Sequence, residues 1–303
     1  MTGKNEDMDT NVNDKVLTKV KELYEKPDHL WFVIWVAGMG GVWLWDVIFL
    51  NTPALMRIQT AFLNSMLTGS VVVVLSLAFG WILGVVLDLL EHSESSRIYA
   101  LVSLAVNALR SVPQIIVLLL GYVMLTLLLH EEVIRSTFVQ LLWIAVATTA
   151  AVFLEVADTV RSRIEYFRTL DFVDAMLCCG VGERRIINIE ILWKNSKSHL
   201  LHKLIGVFAV SIFLQCSIDF IVSVGLSTDV SLSNLPTTIG SLLATLDSKQ
   251  DILALSNLVS DPGYLPAIFV RHLQGLSLAF FVVYTLLCMY KIANGFERRL
   301  KLA

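Results

Sequence analysis

Long apolar runs separated by short polar stretches set the architecture of this chain. Six runs are long enough to cross a bilayer as helices, for which roughly 20 residues suffice: 30–50, 63–90, 98–129, 138–156, 204–224 and 266–292. The second and third exceed that length, so tilt or extension beyond the bilayer is expected of them. The first is rich in tryptophan (Trp31, Trp35, Trp43, Trp45), the residue that anchors helices at membrane interfaces. Ahead of it, residues 1–13 are polar and read as disordered. Residues 14–26 place Val16, Leu17, Val20, Leu23 and Tyr24 on one helical face, ended by Pro27. That face suits a helix resting on the membrane or on a neighbour, or a regulatory arm.

This pattern predicts an all-α membrane protein with six transmembrane helices. Residues 1–29 form an N-terminal tail, 30–59 the first helix with an outer loop, 60–292 the core, and 293–303 a C-terminal tail. Two long polar segments interrupt the core, at 157–203 and 227–265. The second carries Pro236, Pro262 and Gly263 with mixed polarity, which suits a partly re-entrant or surface-packed segment.

Composition agrees with the pattern. Only 16% of the 303 residues are charged, against about 25% in soluble domains, and the mean hydropathy is +0.71. The net charge of −3 decides little, because orientation follows where lysine and arginine lie. With the N-terminus inside, 18 basic residues fall on the inner side and four (Arg57, Arg135, Lys249, Arg271) on the outer. Both termini and the 157–203 loop are thereby expected in the cytoplasm. The polar start leaves no signal peptide, so the first apolar run is expected to stay as a helix. The four cysteines (Cys178, Cys179, Cys216, Cys288) lack ligand-like spacing and read as reduced thiols, with no metal site expected.

The 157–203 loop is patterned. Val160, Ile164, Phe167, Leu170 and Val173 recur every three or four residues, so the fourth span is expected to continue past the membrane with one apolar stripe. A short turn follows from Asp174 to Cys179, and Gly180 and Gly182 break it. A helical pattern resumes over residues 183–192, with Ile186, Ile187, Ile189 and Ile191. Two short helices around a glycine turn make a knob that suits a groove on another protein, or an ordinary surface hairpin.

The knob resembles the EAA loop of binding-protein-dependent ABC transporter permeases, whose pattern is Glu-Ala-Ala, then a Gly six residues after the Glu, then Ile-Leu-Pro. Asp174 stands at the Glu position, Ala175 at the first Ala, Gly180 at the Gly and Ile191-Leu192 at the Ile-Leu, while Met176 and Trp193 depart from it. Arg161 and Asp171-Phe172-Val173 fit the register of the peptide/nickel branch. Asn107-Ala-Leu-Arg-Ser-Val-Pro113 resembles the Arg-Ser-x-Pro turn of methionine and amino-acid permeases. Gly80-Trp-Ile-Leu-Gly84 resembles the family's glycine packing face, Gly225-Leu226-Ser227 its Gly-Leu-Gly, Pro236–Gly240 its approach to the last span, and 290–298 its ending. The resemblance covers about residues 60–299. It implies a type I ABC importer permease fold, whose coupling helix seats in a cleft of an ATPase subunit. The residues carrying that coupling would be Asp171, Asp174, Ala175, Gly180, Gly182, Glu183, Arg184, Ile191 and Leu192. It also implies a bacterial inner-membrane location, a second permease subunit (a different chain by preference), an extracytoplasmic binding protein docking near 227–265, and surrounding lipid.

What the sequence lacks narrows the chemistry. No Gly-x-x-x-x-Gly-Lys-Ser/Thr stretch occurs, so ATP and magnesium are expected on a partner and not on this chain. No catalytic set is visible, no enzyme activity is expected of the chain itself, and nothing points to nucleic acid. Within the spans Pro113 should kink its helix, and Arg110 must pair or face water. Glu155 could pair with Arg110. Asp46 and Asp88 are expected at span ends, near the interface. Asp219 either lines a pathway or is held by hydrogen bonds. Arg110, Pro113, Glu155 and Asp219 are therefore the candidate translocation residues. The function expected is import of a small solute, peptide-like or other. Two alternatives stay open: a permease-like scaffold without its own path, and an ion-coupled secondary transporter, against which the absence of a visible repeat and the paucity of intramembrane acids both speak.

Overall fold

The computed structural model describes residues 27–92, 96–225, 235–245 and 273–302, with short pieces between 256 and 266. Among these the chain is helical, with no strand. The 14–26 helix, the Leu226-Ser227 match and most of 227–265 lie outside the described residues.

Helix α1, Pro27–Phe49, opens on a proline, whose fixed φ and missing N–H suit a first turn. It stands at the periphery and docks on the last helix, α10 (Leu273–Leu302). Tyr284 Oη donates to the Ile34 carbonyl at 2.5 Å and Trp35 Nε1 to Thr285 Oγ1 at 3.3 Å. The Tyr284 ring lies where a β-carbon on Gly38 would be, so only glycine fits there. Asp46 was expected at the interface; instead it is buried, accepting from Ser277 Oγ at 2.6 Å. The last helix offers it a hydroxyl partner, which the sequence pattern of α1 alone could not reveal.

Helix α2, Thr52–Glu91, runs 40 residues, about 60 Å at 1.5 Å per residue. It starts where Asn51 Oδ1 caps the Ala54 N–H at 3.2 Å, so residues 52–59 are helix and not outer loop. Twice the ~30 Å of a hydrocarbon core, it carries the fold out of the apolar layer. Its main partner is α5, Thr137–Arg168. A β-carbon on Gly80 would sit 2.7 Å from Val156 Cβ, and one on Gly84 would sit 2.7 Å from Val160 Cγ1. The two glycines are thus the flat face against which α5 lies, as small residues allow.

The 98–129 run is not one tilted span. It divides into α3, Ser96–Ser111, and α4, Gln114–His130, bent by 86° at Val112-Pro113. Proline lacks the N–H that would continue the helix and disfavours a helical residue before it. Helix α4 alone is about 26 Å long, while α3 crosses the ends of α2 and α5, with Val106 buried against Leu87 and Leu154.

After α5 come α6, Asp171–Cys178, and α7, Glu183–Arg185, which runs on as a π-helix, Ile186–Asn195. Helix α8, Lys197–Gly225, returns through the bundle, and α9, Ile239–Thr245, packs against α8, α2 and α10. Among the described residues, five helices are long and apolar enough to cross a membrane, and six if the bent pair counts as one span. Phe32, Val36, Leu44 and Ile48 of α1, Val74 and Ile82 of α2 and Leu120 of α4 face outward. Apolar surface on that scale, on helices apolar nearly all round, marks a membrane protein.

Candidate functional site

The knob begins where α5 outruns the apolar layer. Val160 and Ile164 continue its stripe and are buried, together with Val173 of α6, Ile186, Ile187, Ile191 and Leu192 of the π-helix, and Leu200 of α8. The buried positions 186, 191 and 196, and 187 and 192, recur every five residues. That is the repeat of i→i+5 bonding, which sets two adjacent isoleucines and an Ile-Leu pair above one another on a single face. The α pattern expected over 183–192 therefore holds only for its first turn. Helix α6 ends in a Schellman turn: Gly180 N donates to Leu177 O at 2.9 Å and Val181 N to Met176 O at 3.1 Å. Gly180 has φ of +79°, the left-handed region in which a β-carbon is strained. Met176 and Val181 both pack on the core, closing the motif's apolar contact.

Polar contacts weld this unit to α2. Arg168 Nη2 lies 2.7 Å from Asp88 Oδ2 and 2.6 Å from Glu183 Oε1, and its Nε donates to Asp88 Oδ1 at 3.1 Å. Asp88, expected at the interface, is buried at 2% exposure because this guanidinium compensates it. Arg161 reaches Glu91 at 2.8 Å and Tyr99 Oη at 3.0 Å, and Trp81 Nε1 donates to Asn188 Oδ1 at 2.7 Å. Asp88, Arg168, Trp81 and Asn188 were not singled out as site residues. Asp88 was legible as an acid within an apolar run; that its partner would lie 80 positions away was not.

The candidate coupling residues separate into two groups. Asp171, Asp174, Ala175, Gly180, Gly182, Glu183 and Arg184 are exposed around the tip of the knob. Ile191 and Leu192 are fully buried beneath it, so their place is in holding the tip to the bundle. Asp171 and Asp174 lie in the first turn of α6, where acids complement the helix dipole. The tip offers acids, a small residue, Leu177 and two free thiols, Cys178 and Cys179.

The candidate pathway residues are all engaged within the chain. Arg110 pairs with Asp158, not with Glu155. Glu155 pairs with Lys203 at 2.6 Å and accepts from Gln114 Nε2 at 2.8 Å. The bend at Pro113 decides this, because it carries Arg110 away on α3 and starts α4 at Gln114. Asp219 is buried on α8 with both oxygens occupied: Tyr122 Oη donates at 2.8 Å and Thr238 Oγ1 at 2.5 Å. Thr238 also caps α9, where its Oγ1 accepts from Ser241 N at 3.1 Å. Asn64 Nδ2 donates to Thr237 O at 2.8 Å and Ser65 Oγ accepts from Ile239 N at 3.0 Å. Gly240 lies against Asp219 and the Cys216 backbone, too close for a β-carbon. Residues 235–245 are thus strapped into the bundle, with Asp219 as their anchor. Asp219→Ala would strand two buried hydroxyl donors and is expected to destabilise the chain by about 1–3 kcal/mol. Asp219→Asn, which keeps one acceptor, is expected to lose less. Detergent-micelle unfolding of the two variants, with proteolysis near 235–245, checks the order.

No family model matches the chain, and no curated protein matches it. Fold and site together define an all-helical, multi-pass membrane protein with a two-helix knob rigidly carried on the extended ends of two of its helices.

Proposed function

We propose that the chain is the transmembrane permease subunit of an ABC importer in a bacterial inner membrane, with both termini and the knob in the cytoplasm. The observation that carries the reading is the knob itself: an exposed tip at Asp171–Cys178 whose other side is packed and ion-paired onto membrane helices. A partner ATPase holding ATP and magnesium would seat α6 in a cleft. Its closure would then push α5 and, through Arg168 and Asp88, α2. The glycine contact makes those two helices one lever, whose tilt would open a midplane cavity to alternate sides. A second permease chain, preferably a different one, would complete the cavity, and an extracytoplasmic binding protein would deliver a small solute at the opposite end. There, a cleft of about 790 Å³ lies between Glu132, Arg135, Gln140, Pro236 and Thr237.

The test is purification of the tagged full chain from its host membrane in mild detergent, followed by assay of MgATP hydrolysis in the eluate. A copurifying ATPase is expected. Asp174→Lys, which reverses a charge at the tip, and Gly180→Trp, which strains the turn, are each expected to lower its recovery at least tenfold while the chain itself remains intact. Full retention in both variants would refute the coupling role of α6. The scaffold reading has one observation in its favour: Arg110, Glu155 and Asp219 each have a partner within the chain, and Asp219 is buried. Solute-stimulated hydrolysis separates the two readings, because a scaffold without a path would show none.

A further inference from the structure

At the base of the knob lies an apolar slot of about 390 Å³, within the roughly 300–1,000 Å³ range of ligand sites. Its walls include Leu77 and Trp81 of α2 and Leu201 and Leu204 of α8, with Trp193 and Lys197 contributing from the join between the π-helix and α8. The Trp81 indole is fixed by its bond to Asn188, so this wall is preformed. Trp193 is 68% exposed, an unusual state for a tryptophan beside an apolar slot, and Leu201 is 45% exposed. Lys197 is exposed, and among the described residues no carboxylate pairs with it, whereas Lys194 is held by Glu190 at 2.8 Å and Lys203 by Glu155.

We infer that this slot binds an anionic phospholipid of the surrounding bilayer, with an acyl chain against Leu77, Trp81, Leu201 and Leu204 and the head group on Lys197. Three observations select that occupant. The slot sits where the apolar lengths of α2 and α8 meet the polar knob, which is the level of head groups. Its lining is apolar while its charged rim residue is a cation, and basic pockets beside membrane helices attract anionic head groups. An exposed tryptophan at that level is an interfacial anchor. A zwitterionic lipid satisfies the lining, but its own cation offsets the phosphate charge that an anionic lipid offers Lys197 in full. The inference does not depend on a partner ATPase, and its test contains none.

The full chain, reconstituted in phosphatidylcholine vesicles, is titrated with phosphatidylglycerol or with phosphatidylcholine brominated on the acyl chains, and tryptophan quenching is followed. Seven tryptophans contribute, so subtraction of the Trp193→Phe chain isolates the Trp193 component of the slot's signal. Half-quenching of that component is expected at about fivefold less phosphatidylglycerol than phosphatidylcholine, with the preference falling as salt is raised. Lys197→Gln is expected to abolish the preference, Lys197→Arg to retain it, and Lys194→Gln to leave it unchanged. Equal quenching by the two lipids, a preference that survives Lys197→Gln, or the absence of any Trp193-dependent quenching would each overturn the assignment. Native mass spectrometry of the parent and Lys197→Gln chains gives an independent reading, with bound phosphatidylglycerol expected on the parent and lost from the variant.

Discussion

Replacement of Arg168 by methionine is expected to destabilise the chain by about 3–5 kcal/mol, the usual consequence of leaving one partner of a buried ion pair uncompensated. Asp88 is 2% exposed, and Arg168 is the residue that spans from it to Glu183. His92 Nδ1 sits 2.9 Å from the Asp88 backbone carbonyl and 4.0 Å from Oδ1 of its carboxylate, so it does not replace a guanidinium that makes three hydrogen bonds to that carboxylate. The double variant Asp88→Asn, Arg168→Met removes the stranded charge and is expected to recover more than half of the loss. Unfolding of the purified chains in detergent micelles measures both steps, and proteolysis between residues 169 and 196 reports whether the knob has come away from α2. A double variant as unstable as the single one would mean that packing, not the charge pair, holds the knob in place. In the proposed transporter, the single variant would also uncouple: ATP hydrolysis would continue while α2 no longer followed the knob.

The second large effect is expected at the glycine face. Gly84→Val would place a β-carbon 2.7 Å from Val160 Cγ1 and 2.9 Å from the carbonyl oxygen of Ala157. A side chain can rotate away, but a helix carbonyl cannot, so α2 and α5 must separate. Gly80→Val meets Val156 Cβ at 2.7 Å and the Ala157 backbone nitrogen at 3.0 Å. Each substitution is expected to cost about 1–3 kcal/mol. The double variant should lose less than the sum, since helices already parted by one substitution have room for the other. Micelle unfolding of the two single variants and the double checks both the magnitude and the shortfall. Strict additivity would show that the two contacts yield independently and that the helix pair bends instead of separating as a unit.

Parts of this site were legible in the sequence and parts were not, for reasons that differ by residue. Gly180 was readable as a helix breaker, and its positive φ follows from its chemistry. The Val160, Ile164 and Val173 stripe was readable because α-helical spacing puts those residues on one face. The π-helix was not, because Ile186, Ile187, Ile189 and Ile191 fit an α-helical reading of the same string, and only burial against α5 selects the five-residue repeat. Nor was the pairing of Glu155 readable. Arg110 was an available cation in sequence terms, but an 86° bend two residues later moved it to Asp158 and left Glu155 to Lys203. Asp219 stood between two readings. Three side chains from three distant segments meet at its carboxylate, a convergence no local pattern announces.

A helical, multi-pass membrane chain with a structured polar knob between two apolar runs was readable from the residue pattern. Those properties follow from hydropathy over windows of about 20 residues and from local periodicity, both of which are additive along the chain. Tertiary structure alone decided that the long third run breaks into two nearly perpendicular helices, that α2 and α5 form one unit, and that Asp46, Asp88 and Asp219 are buried instead of interfacial or open. The physical reason is common to all three. A buried charge or a bare glycine is stable only if a particular partner arrives, and arrival depends on how whole helices pack, which no local window contains.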